Sequence, residues 1–213
     1  MKGSIKICIA DDHELIRRGF KQIIAEEPDM AVVGEAKNAD EVLDFIRKKD
    51  CDVIILDISM PGRSGLDLLK ELKVQKPKLP VLILSMYPEE LYAVRTLKAG
   101  AGGYLTKDSA SEELVKAIRK VVEGKKYVSP TLSEKLAFDL EIGEGKPLHE
   151  HLSDREYQVM CMIASGKTVK DIAQELFLSV KTISTFRFRI LEKMRMKNNA
   201  ELTHYAVKHH LID

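Results

Sequence analysis

The stretch that decides the fold is DVIILD, residues 52–57, in which four consecutive Val, Ile and Leu residues separate two aspartates. A strand without polar alternation is buried on both faces, which is typical of a parallel sheet covered by helices on both sides. Similar apolar runs lie at 5–10, directly before Asp11, and at 80–85, which ends in Ser85. Because the carboxyl ends of parallel strands meet at one edge of a sheet, we expect the polar residues there to converge in space.

Short apolar runs alternate with amphipathic segments from residue 5 to residue 124, which predicts a repeated β-α pattern. The predicted strands span 5–10, 31–36, 52–57, 80–85 and 102–107. In the last helix, Leu114, Ile118 and Val121 recur at three- and four-residue steps, and Ser111 is its expected N-cap. Right-handed crossovers place helices on both faces of such a sheet. The predicted fold is therefore α/β, a doubly wound five-stranded parallel sheet.

The chain is longer than one average domain, with 213 residues, and its pattern changes after residue 126. Residues 127–150 contain Pro and Gly with five acidic and two basic groups, although Leu132, Leu136 and Leu140 are spaced for one amphipathic helix. Residues 151–213 carry ten basic and seven acidic groups. We predict a first domain at 1–126, a partly helical linker at 127–150 and a small all-α domain at 151–213.

Composition limits the class of protein. Hydrophobic residues make up 45% and charged residues 31% of the chain, which are ordinary values for globular domains. The apolar runs are far too short to cross a hydrocarbon core of roughly 30 Å, and no signal-peptide pattern follows Lys2 and Lys6. We therefore expect a cytoplasmic protein without a membrane partner. Three cysteines without paired spacing indicate reduced thiols.

The acidic residues at the predicted sheet edge need a cation. If Asp11, Asp12 and Asp57 lie about 4 Å apart, each pair of carboxylates repels by roughly 4 kcal/mol at an effective dielectric constant near 20. Hard oxygen ligands without histidine or cysteine favour Mg²⁺, which uses one or two carboxylates together with a phosphate oxygen. Asp12 and Asp57 are the first expected ligands. Lys107, at the end of the fifth predicted strand, supplies a second positive charge.

Asp57 is the predicted nucleophile because it ends the central strand and enters a turn. A phosphorylated carboxylate is a known covalent intermediate, and phosphoryl transfer requires mainly positioning and charge neutralisation. The Ser85 hydroxyl can donate to an oxygen of the same group. One aspartate at a strand end is usually only a turn residue, but an acidic pair, an aspartate, a serine and a lysine at successive strand ends make coincidence improbable.

Residues 5–123 resemble the receiver domain of two-component response regulators of the NarL/FixJ subfamily. The resemblance rests on ADDHELIRRG at 10–19 and DISMPG at 57–62. It implies a flavodoxin-like sheet with strand order 2-1-3-4-5, in which Asp57 accepts a phosphoryl group from a sensor histidine kinase. It also implies that Mg²⁺ is bound by Asp12, Asp57 and the backbone carbonyl of Ser59, with Asp11 assisting.

The same resemblance implies a switch, in which Ser85 moves to the phosphate while Tyr104 turns inward. One departure is Asp108, because many receivers carry proline after the residue equivalent to Lys107, and the geometry of this loop stays open. His13, beside the acidic pair, is interpreted as a solvent-facing residue at the start of a helix rather than as a catalytic base.

The C-terminal region predicts four helices. Ser153 and Glu156 match a capping box, in which each side chain satisfies a backbone N–H of the first turn. The expected N-caps of the four helices are Ser153, Thr168, Ser179 and Asn199. The apolar positions of the third helix are Ile183, Phe186, Ile190 and Met194. A capped helix that follows a short turn is the arrangement of a helix-turn-helix unit, whose second helix enters the major groove.

The third helix is also the expected DNA contact, since residues 181–197 contain six basic groups and one acidic group. The side opposite its apolar stripe presents Lys181, Ser184, Thr185 and Phe188, with Arg189 on the flank. Lys and Arg neutralise phosphates, whereas Ser, Thr and an aromatic ring provide sequence preference. An ordinary solvated face is the alternative for a basic helix considered alone.

Residues 152–213 resemble the LuxR-type helix-turn-helix domain. Thr182 and Lys193 belong to the matching positions and complete the predicted set of DNA contacts. The family often has Lys and His where this chain has Ser184 and Phe186, so base preference cannot be transferred. The segment 200–210 resembles the family's dimerisation helix.

Together these features predict a transcription regulator that is activated by Mg²⁺-dependent phosphorylation of Asp57. It would bind double-stranded promoter DNA as a homodimer through residues 180–195. It would catalyse only its own phosphorylation and dephosphorylation. In one version of this hypothesis, the unphosphorylated receiver masks the recognition helix or disfavours the dimer.

Two other classes remain open. A Mg²⁺-dependent phosphatase could use the same acidic cluster, but the chain has no P-loop or G-x-G-x-x-G pattern, and the basic C-terminal unit would be unexplained. A phosphorylation-independent DNA-binding protein with a vestigial receiver is disfavoured by the complete set of site residues.

Overall fold

The computed structural model describes residues 4–60, 63–130, 132–133, 147–209 and 211–212. The chain divides into two compact units, Met1–Ser133 and Glu134–Asp213. The possible linker helix through Leu136 and Leu140 and the turn at Pro61 and Gly62 lie outside the described residues. No helix in the described parts of the chain is both long enough and apolar enough to span a bilayer.

The first unit is a parallel sheet with helices between its strands. The strands are β1 (Ile5–Ala10), β2 (Met30–Ala36), β3 (Val53–Asp57), β4 (Val81–Ser85) and β5 (Gly103–Thr106). The helices are α1 (Glu14–Ala25), α2 (Ala39–Lys48), α3 (Gly65–Gln75), α4 (Glu89–Lys98) and α5 (Ala110–Val122). All neighbouring strands pair in parallel, and their order is β2-β1-β3-β4-β5. The predicted doubly wound architecture and its strand order are confirmed.

The core of this unit lies on both faces of the sheet. On one face, Ile7, Ile9 and Ile55 pack in a cluster that includes residues of α1 and α5. The alternate residues Ile54 and Leu56 point to the opposite face and are also fully buried. This explains why DVIILD lacks polar alternation, since neither face of the central strand meets water.

Several element ends differ from the predicted ones by one residue. The largest difference is at α5, where the N-cap is Ser109 and not Ser111. The Ser109 hydroxyl donates to the Thr106 carbonyl at 3.1 Å, and its backbone N–H donates to Thr106 Oγ1 at 3.3 Å. These bonds turn the chain immediately after β5, so the helix begins two residues earlier than its side-chain pattern indicated.

Tyr127 belongs to the core of the first unit, although the sequence analysis assigned it to the linker. It forms a parallel bridge with Gly103, its backbone N–H donates to the Gly102 carbonyl at 2.9 Å, and the residue is only 4% exposed. The chain after α5 therefore adds a single residue pair at the free edge of β5.

The second unit consists of short capped helices. They are a 3₁₀ turn (Leu148–His151), α6 (Asp154–Ala164), α7 (Val169–Glu175), α8 (Val180–Lys193) and α9 (Asn199–Lys208). The predicted capping box is present at Ser153 with Glu156, the predicted cap Thr168 forms a second capping box with Asp171, and Ser179 caps α8 as predicted. Gly166 has a φ of +85°, a left-handed conformation that suits glycine after α6.

The predicted cap of the last helix was wrong by one residue. The N-cap is Asn198, whose side chain accepts a hydrogen bond from the Glu201 backbone N–H at 3.0 Å. Glu201 reaches back to the backbone N–H of Lys197 at 2.9 Å. The spacing Asn198-x-x-Glu201 is the signal that distinguishes the two adjacent asparagines.

Candidate functional site

The first candidate site lies at the carboxyl edge of the sheet. Asp11 and Asp12 follow β1, Asp57 ends β3 and Lys107 follows β5. Ligand atoms of Asp11, Asp12, His13 and Asp57 all lie within 4.8 Å of one another. The predicted assembly of residues from distant stretches is thereby confirmed, because the sheet order brings β1 and β3 side by side.

Lys107 neutralises two of the three carboxylates directly. Its Nζ lies 2.6 Å from Asp57 Oδ2 and 2.7 Å from Asp11 Oδ2, and all three side chains are almost fully buried. Burial by itself would lower the pKa of Lys107, but the carboxylates of Asp57 and Asp11 outweigh it and raise that pKa. The ammonium therefore stays charged, as the site requires.

Asp57 is buried and held in a fixed orientation. Its Oδ1 accepts a hydrogen bond from the Ser59 backbone N–H at 2.7 Å, while Oδ2 faces Lys107. Burial raises the pKa of the Asp57 carboxyl, Lys107 opposes this shift, and Asp11 adds to it. A carboxylate in this position is stabilised by neighbouring positive charge, so a cation beside it favours the ionised form that can act as a nucleophile.

The donor set fits a hard divalent cation. Asp12 Oδ1 is buried, and none of the described residues donates a hydrogen bond to it, although His13 Nδ1 lies 3.0 Å away. Apart from His13 Nδ1, the potential metal-ligand atoms of this cluster are carboxylate oxygens, which Mg²⁺ prefers. His13 is 61% exposed, and its backbone N–H donates to Asp11 Oδ1 at 2.8 Å. His13 is the N-cap of α1, and although its side chain is largely exposed, its Nδ1 faces Asp11 Oδ1 at 3.2 Å and Asp12 Oδ1 at 3.0 Å, so the ring lies against the acidic cluster instead of pointing only to solvent.

The predicted switch residues lie on neighbouring strands, Ser85 at the end of β4 and Tyr104 within β5. Ser85 is fully buried, and its Oγ accepts a hydrogen bond from the Tyr87 backbone N–H at 3.0 Å. Tyr104 is 1% exposed and already points inward, where its hydroxyl donates to the Tyr87 carbonyl at 2.8 Å. Burial raises the pKa of the Tyr104 hydroxyl, so it remains a donor. Sequence reasoning missed Tyr87, which connects the two residues through its backbone.

The loop after Lys107 has a defined geometry despite Asp108 in place of proline. The Lys107 backbone N–H donates to the Ser85 carbonyl at 2.7 Å, which extends the β4-β5 pairing up to the lysine. The hydrogen bonds between Thr106 and Ser109 then close the turn. Asp108 itself is exposed.

The second candidate site is the outer face of α8. Its apolar stripe is buried at Ile183, Ile190 and Met194, whereas Phe186 is only half-buried. The opposite side exposes Lys181, Ser184, Thr185, Phe188 and Arg189. Phe188 is 67% exposed, which is unusual for a large aromatic ring on a helix of a folded domain. These five residues share one accessible face, as the helical spacing predicted.

The two remaining predicted DNA contacts have partners within the unit. Ser179 caps α8 by accepting a hydrogen bond from the Thr182 backbone N–H at 3.0 Å, and the hydroxyl oxygens of these two residues lie 2.7 Å apart. The Lys193 ammonium lies 2.6 Å from Glu156 Oε2, the carboxylate that also accepts a hydrogen bond from the Ser153 backbone. The sequence gives no direct signal for this pair, since 37 residues separate Lys193 from Glu156. The structure therefore places Lys193 on the capping box of α6.

Comparison with known proteins covers both units. A model described as "Response regulator receiver domain" matches residues 7–119, and one described as "Bacterial regulatory proteins, luxR family" matches residues 150–206. The response regulator GacA of Pseudomonas aeruginosa is 36% identical over 210 residues, which cover 98% of each chain.

Solved structures agree with these matches. RcsB from Salmonella enterica serovar Typhimurium, bound to promoter rprA in the presence of the phosphomimetic BeF3⁻, is similar with a TM-score of 0.65 and 28% identity over 95% of this chain and 98% of that chain. A structure of two RcsB dimers bound to two parallel DNAs has a TM-score of 0.60 and 28% identity, and covers 96% of this chain and 98% of that chain.

Proposed function

The chain belongs to the NarL/FixJ-type response regulators, which join a receiver domain to a LuxR-type DNA-binding domain, and we propose that phosphorylation of Asp57 controls its binding to DNA. The observation that carries this proposal is the buried pairing of Asp57 with Lys107 at 2.6 Å, beside a buried carboxylate oxygen of Asp12 that pairs with no lysine or arginine among the described residues. This arrangement fits a phosphoryl acceptor.

The proposed donor is the phosphohistidine of a sensor histidine kinase. A carboxylate oxygen of Asp57 attacks the phosphorus, a P–O bond forms, and the P–N bond breaks, with its electron pair staying on the leaving imidazole nitrogen. Lys107 holds positive charge beside the phosphoryl oxygens, and the Ser59 N–H keeps the carboxylate in position. This self-modification, and the later hydrolysis of the phosphoaspartate, are the only reactions we propose for the chain.

Mg²⁺ is the proposed cofactor. Asp12, Asp57 and the Ser59 carbonyl would hold it, with Asp11 assisting. When bound, the ion supplies positive charge that neutralises phosphoryl oxygens during transfer. Among the described residues, Lys107 pairs with Asp11 and Asp57 and no lysine pairs with Asp12, so three carboxylates share one ammonium and leave negative charge for a divalent cation to balance.

The proposed output is promoter DNA bound by a homodimer in the cytoplasm. RcsB supports this proposal because it is seen with promoter DNA and as dimers on DNA. The exposed face of α8 provides the proposed contacts, and α9 is the proposed dimerisation helix. The proposed domain limits are 1–126, 127–150 and 151–213, with Tyr127 at the start of the linker packed on the first unit. Moving a two-state equilibrium from 1:99 to 99:1 needs about 5.5 kcal/mol, which phosphate contacts and a dimer interface would share.

Replacing Asp57 by Ala tests the function. The full chain would be treated with phosphoramidate and Mg²⁺, and its phosphorylation would be monitored by mass spectrometry. Binding would be measured on DNA selected from a random pool by the phosphorylated wild type. We expect D57A to take up no phosphoryl group and to show no increase in DNA binding. Asp50→Ala is the matched control, because the Asp50 side chain is 90% exposed and should leave both results unchanged. Full stimulation of D57A by the donor would refute the assignment.

A further inference from the structure

Arg17 is a buried cation of α1 that does not belong to the predicted pocket. It is only 4% exposed, and its Nη1 donates to the backbone carbonyl of Asp11 at 2.7 Å. A buried guanidinium is costly unless it is well paired. Its position inside the fold therefore depends on the groups that it contacts.

The contact fixes the peptide that joins the two acidic residues. The Asp11 carbonyl and the Asp12 N–H belong to one planar unit, so a hydrogen bond to that carbonyl orients the backbone from which both carboxylates project. On the other side, the Asp11 N–H donates to the Ala36 carbonyl at 3.1 Å. The backbone of Asp11 is thereby held by β2 and by Arg17.

Arg17 is itself anchored to the end of β2. Its Nε lies 3.4 Å from Glu35 Oε2, and the same carboxylate accepts from Lys21 at 2.6 Å. Lys21 and Arg17 lower the pKa of Glu35, although its burial opposes the shift, so this anchor is ionised. By contrast, the adjacent Arg18 is 72% exposed and contacts only its helix neighbour Glu14 among the described ion pairs.

We propose that Arg17 is a positioning residue for the metal site, which acts through the Asp11–Asp12 peptide and not by contact with the phosphoryl group. The proposal rests on the proposed function, since it concerns the same acidic cluster. Removing a residue that orients the ligands of a metal typically weakens the binding of the metal by about 10-fold to 100-fold.

The test is a Mg²⁺ titration of the unphosphorylated full chain at a temperature where every variant is folded. The NMR chemical shifts of the amides of Asp12, His13 and Ser59 report the binding of Mg²⁺. We expect R17M to weaken Mg²⁺ binding about 10-fold, R17K to recover part of the loss by keeping one donor, and the control R18M to match wild type. Wild-type affinity in R17M would overturn the proposal. If R17M does not fold, R17K decides, and wild-type affinity there overturns it equally. Absence of Mg²⁺ binding by the wild type would instead count against the proposed function.

The start of the linker is held by hydrogen bonds to two helices of the first unit. The Tyr127 hydroxyl donates to the Glu113 carboxylate of α5, and the Ser129 hydroxyl donates to the Glu89 carboxylate of α4. Ser129 Oγ also accepts from the Leu132 backbone N–H at 3.0 Å. The linker segment 127–133 therefore contacts the first residue of α4.

Glu89 follows the predicted switch residue Ser85 by four residues along the chain. Residues 85–89, here called the switch loop, join Ser85 to α4. Within this loop, Ser85 Oγ accepts the Tyr87 N–H, and the Tyr87 carbonyl accepts the Tyr104 hydroxyl. If Ser85 turned to a phosphoryl group, its Oγ would no longer accept the Tyr87 N–H, and the loop that leads to Glu89 would keep only the hydrogen bond from Tyr104 to the Tyr87 carbonyl.

We further infer that the Ser129–Glu89 hydrogen bond is a latch that phosphorylation opens, which frees the linker from the switch loop. This inference also rests on the proposed function. Amide hydrogen exchange of residues 126–133 in the full chain, with and without BeF3⁻ and Mg²⁺, tests it.

We expect BeF3⁻ to increase exchange of this segment several-fold in the wild type, and S129A to exchange fast in both conditions. The matched variant Y127F loses the bond to α5 but keeps the latch, so it should still respond to BeF3⁻. The latch would be overturned if the segment exchanged at the wild-type rate in S129A under both conditions. It would also be overturned if BeF3⁻ changed the exchange of amides near Asp57 in the wild type but left the exchange of this segment unchanged. If those amides also fail to shift, the proposed function fails first.

Discussion

The acidic pocket at the carboxyl edge of the sheet and the outer face of α8 use charge in opposite ways. In the pocket, Lys107 lies within 2.7 Å of two carboxylates that are almost completely buried. On α8, Lys181 and Arg189 are exposed and belong to a single helix. Buried charges interact strongly and depend on one another, whereas exposed charges are screened by salt and act nearly independently.

Because of this difference, a single substitution should have a larger effect in the pocket than on the face of α8. Removing one member of the pocket leaves the others buried without compensation, so function should be lost almost completely. Removing one exposed residue of α8 should weaken DNA binding by a limited amount. The following predictions run from the largest expected effect to the smallest.

Lys107→Met should reduce the rate of Asp57 phosphorylation by phosphoramidate at least about 100-fold, because it removes a preorganised positive charge from the transferring group. Mass spectrometry of phosphorylation time courses measures the effect. Lys116→Met, on the exposed side of α5, is the control and should react like wild type. A K107M rate within a factor of three of wild type would show that the buried pairing is not needed.

Phe188→Ala should weaken binding to the selected DNA about 10-fold, since an exposed ring can contact thymine methyl groups in the major groove. Fluorescence anisotropy with labelled DNA measures the affinity. Val74→Ala removes a side chain that is 81% exposed in the first unit and should change nothing. Replacing thymine by uracil in the same DNA should weaken the wild type and leave F188A unaffected. If F188A binds like wild type, the ring does not face the groove.

Lys181→Ala should lower the slope of log affinity against log salt concentration by about one ion, as expected for the loss of one phosphate contact. Lys193→Ala provides the comparison, because its ammonium is held by Glu156 at 2.6 Å. We expect its slope to remain that of the wild type. Equal losses of slope in both variants would mean that Lys193 leaves Glu156 to contact DNA.

Glu156→Gln should produce the smallest change and should depend on pH. Burial opposes the shift, but Lys193 and the Ser153 hydrogen bonds lower the pKa of Glu156 below its ordinary value. The ionised carboxylate therefore stabilises the fold above about pH 4.5, and this contribution is lost as the pH falls through the lowered pKa. Glutamine keeps the cap, so we expect a loss of about 0.5 kcal/mol at pH 7 that vanishes at low pH. Urea unfolding at several pH values measures it, and a pH-independent difference would contradict the ion-pair explanation.

The two regions also differ in how far the sequence predicted them. The face of α8 follows from helical periodicity alone, and Lys181, Ser184 and Phe188 lie where the spacing predicted. The pocket could be predicted because strand ends converge in any parallel sheet, which brings Asp12 and Asp57 together. Local spacing correctly predicted the N-caps Ser153, Thr168 and Ser179. Two N-caps were predicted at the wrong residue, Ser111 instead of Ser109 and Asn199 instead of Asn198, because a second residue of the same type lies close by.

By itself, the sequence determined the strand order through its resemblance to receivers, the set of residues at the sheet edge and the exposed face of α8, because these depend on periodicity and chain direction. Only the tertiary structure decided that Arg17 holds the Asp11 carbonyl, that Tyr127 packs at the edge of β5 and that Glu156 holds Lys193. Such contacts join residues through side-chain packing between elements, and no local spacing encodes which donor meets which acceptor.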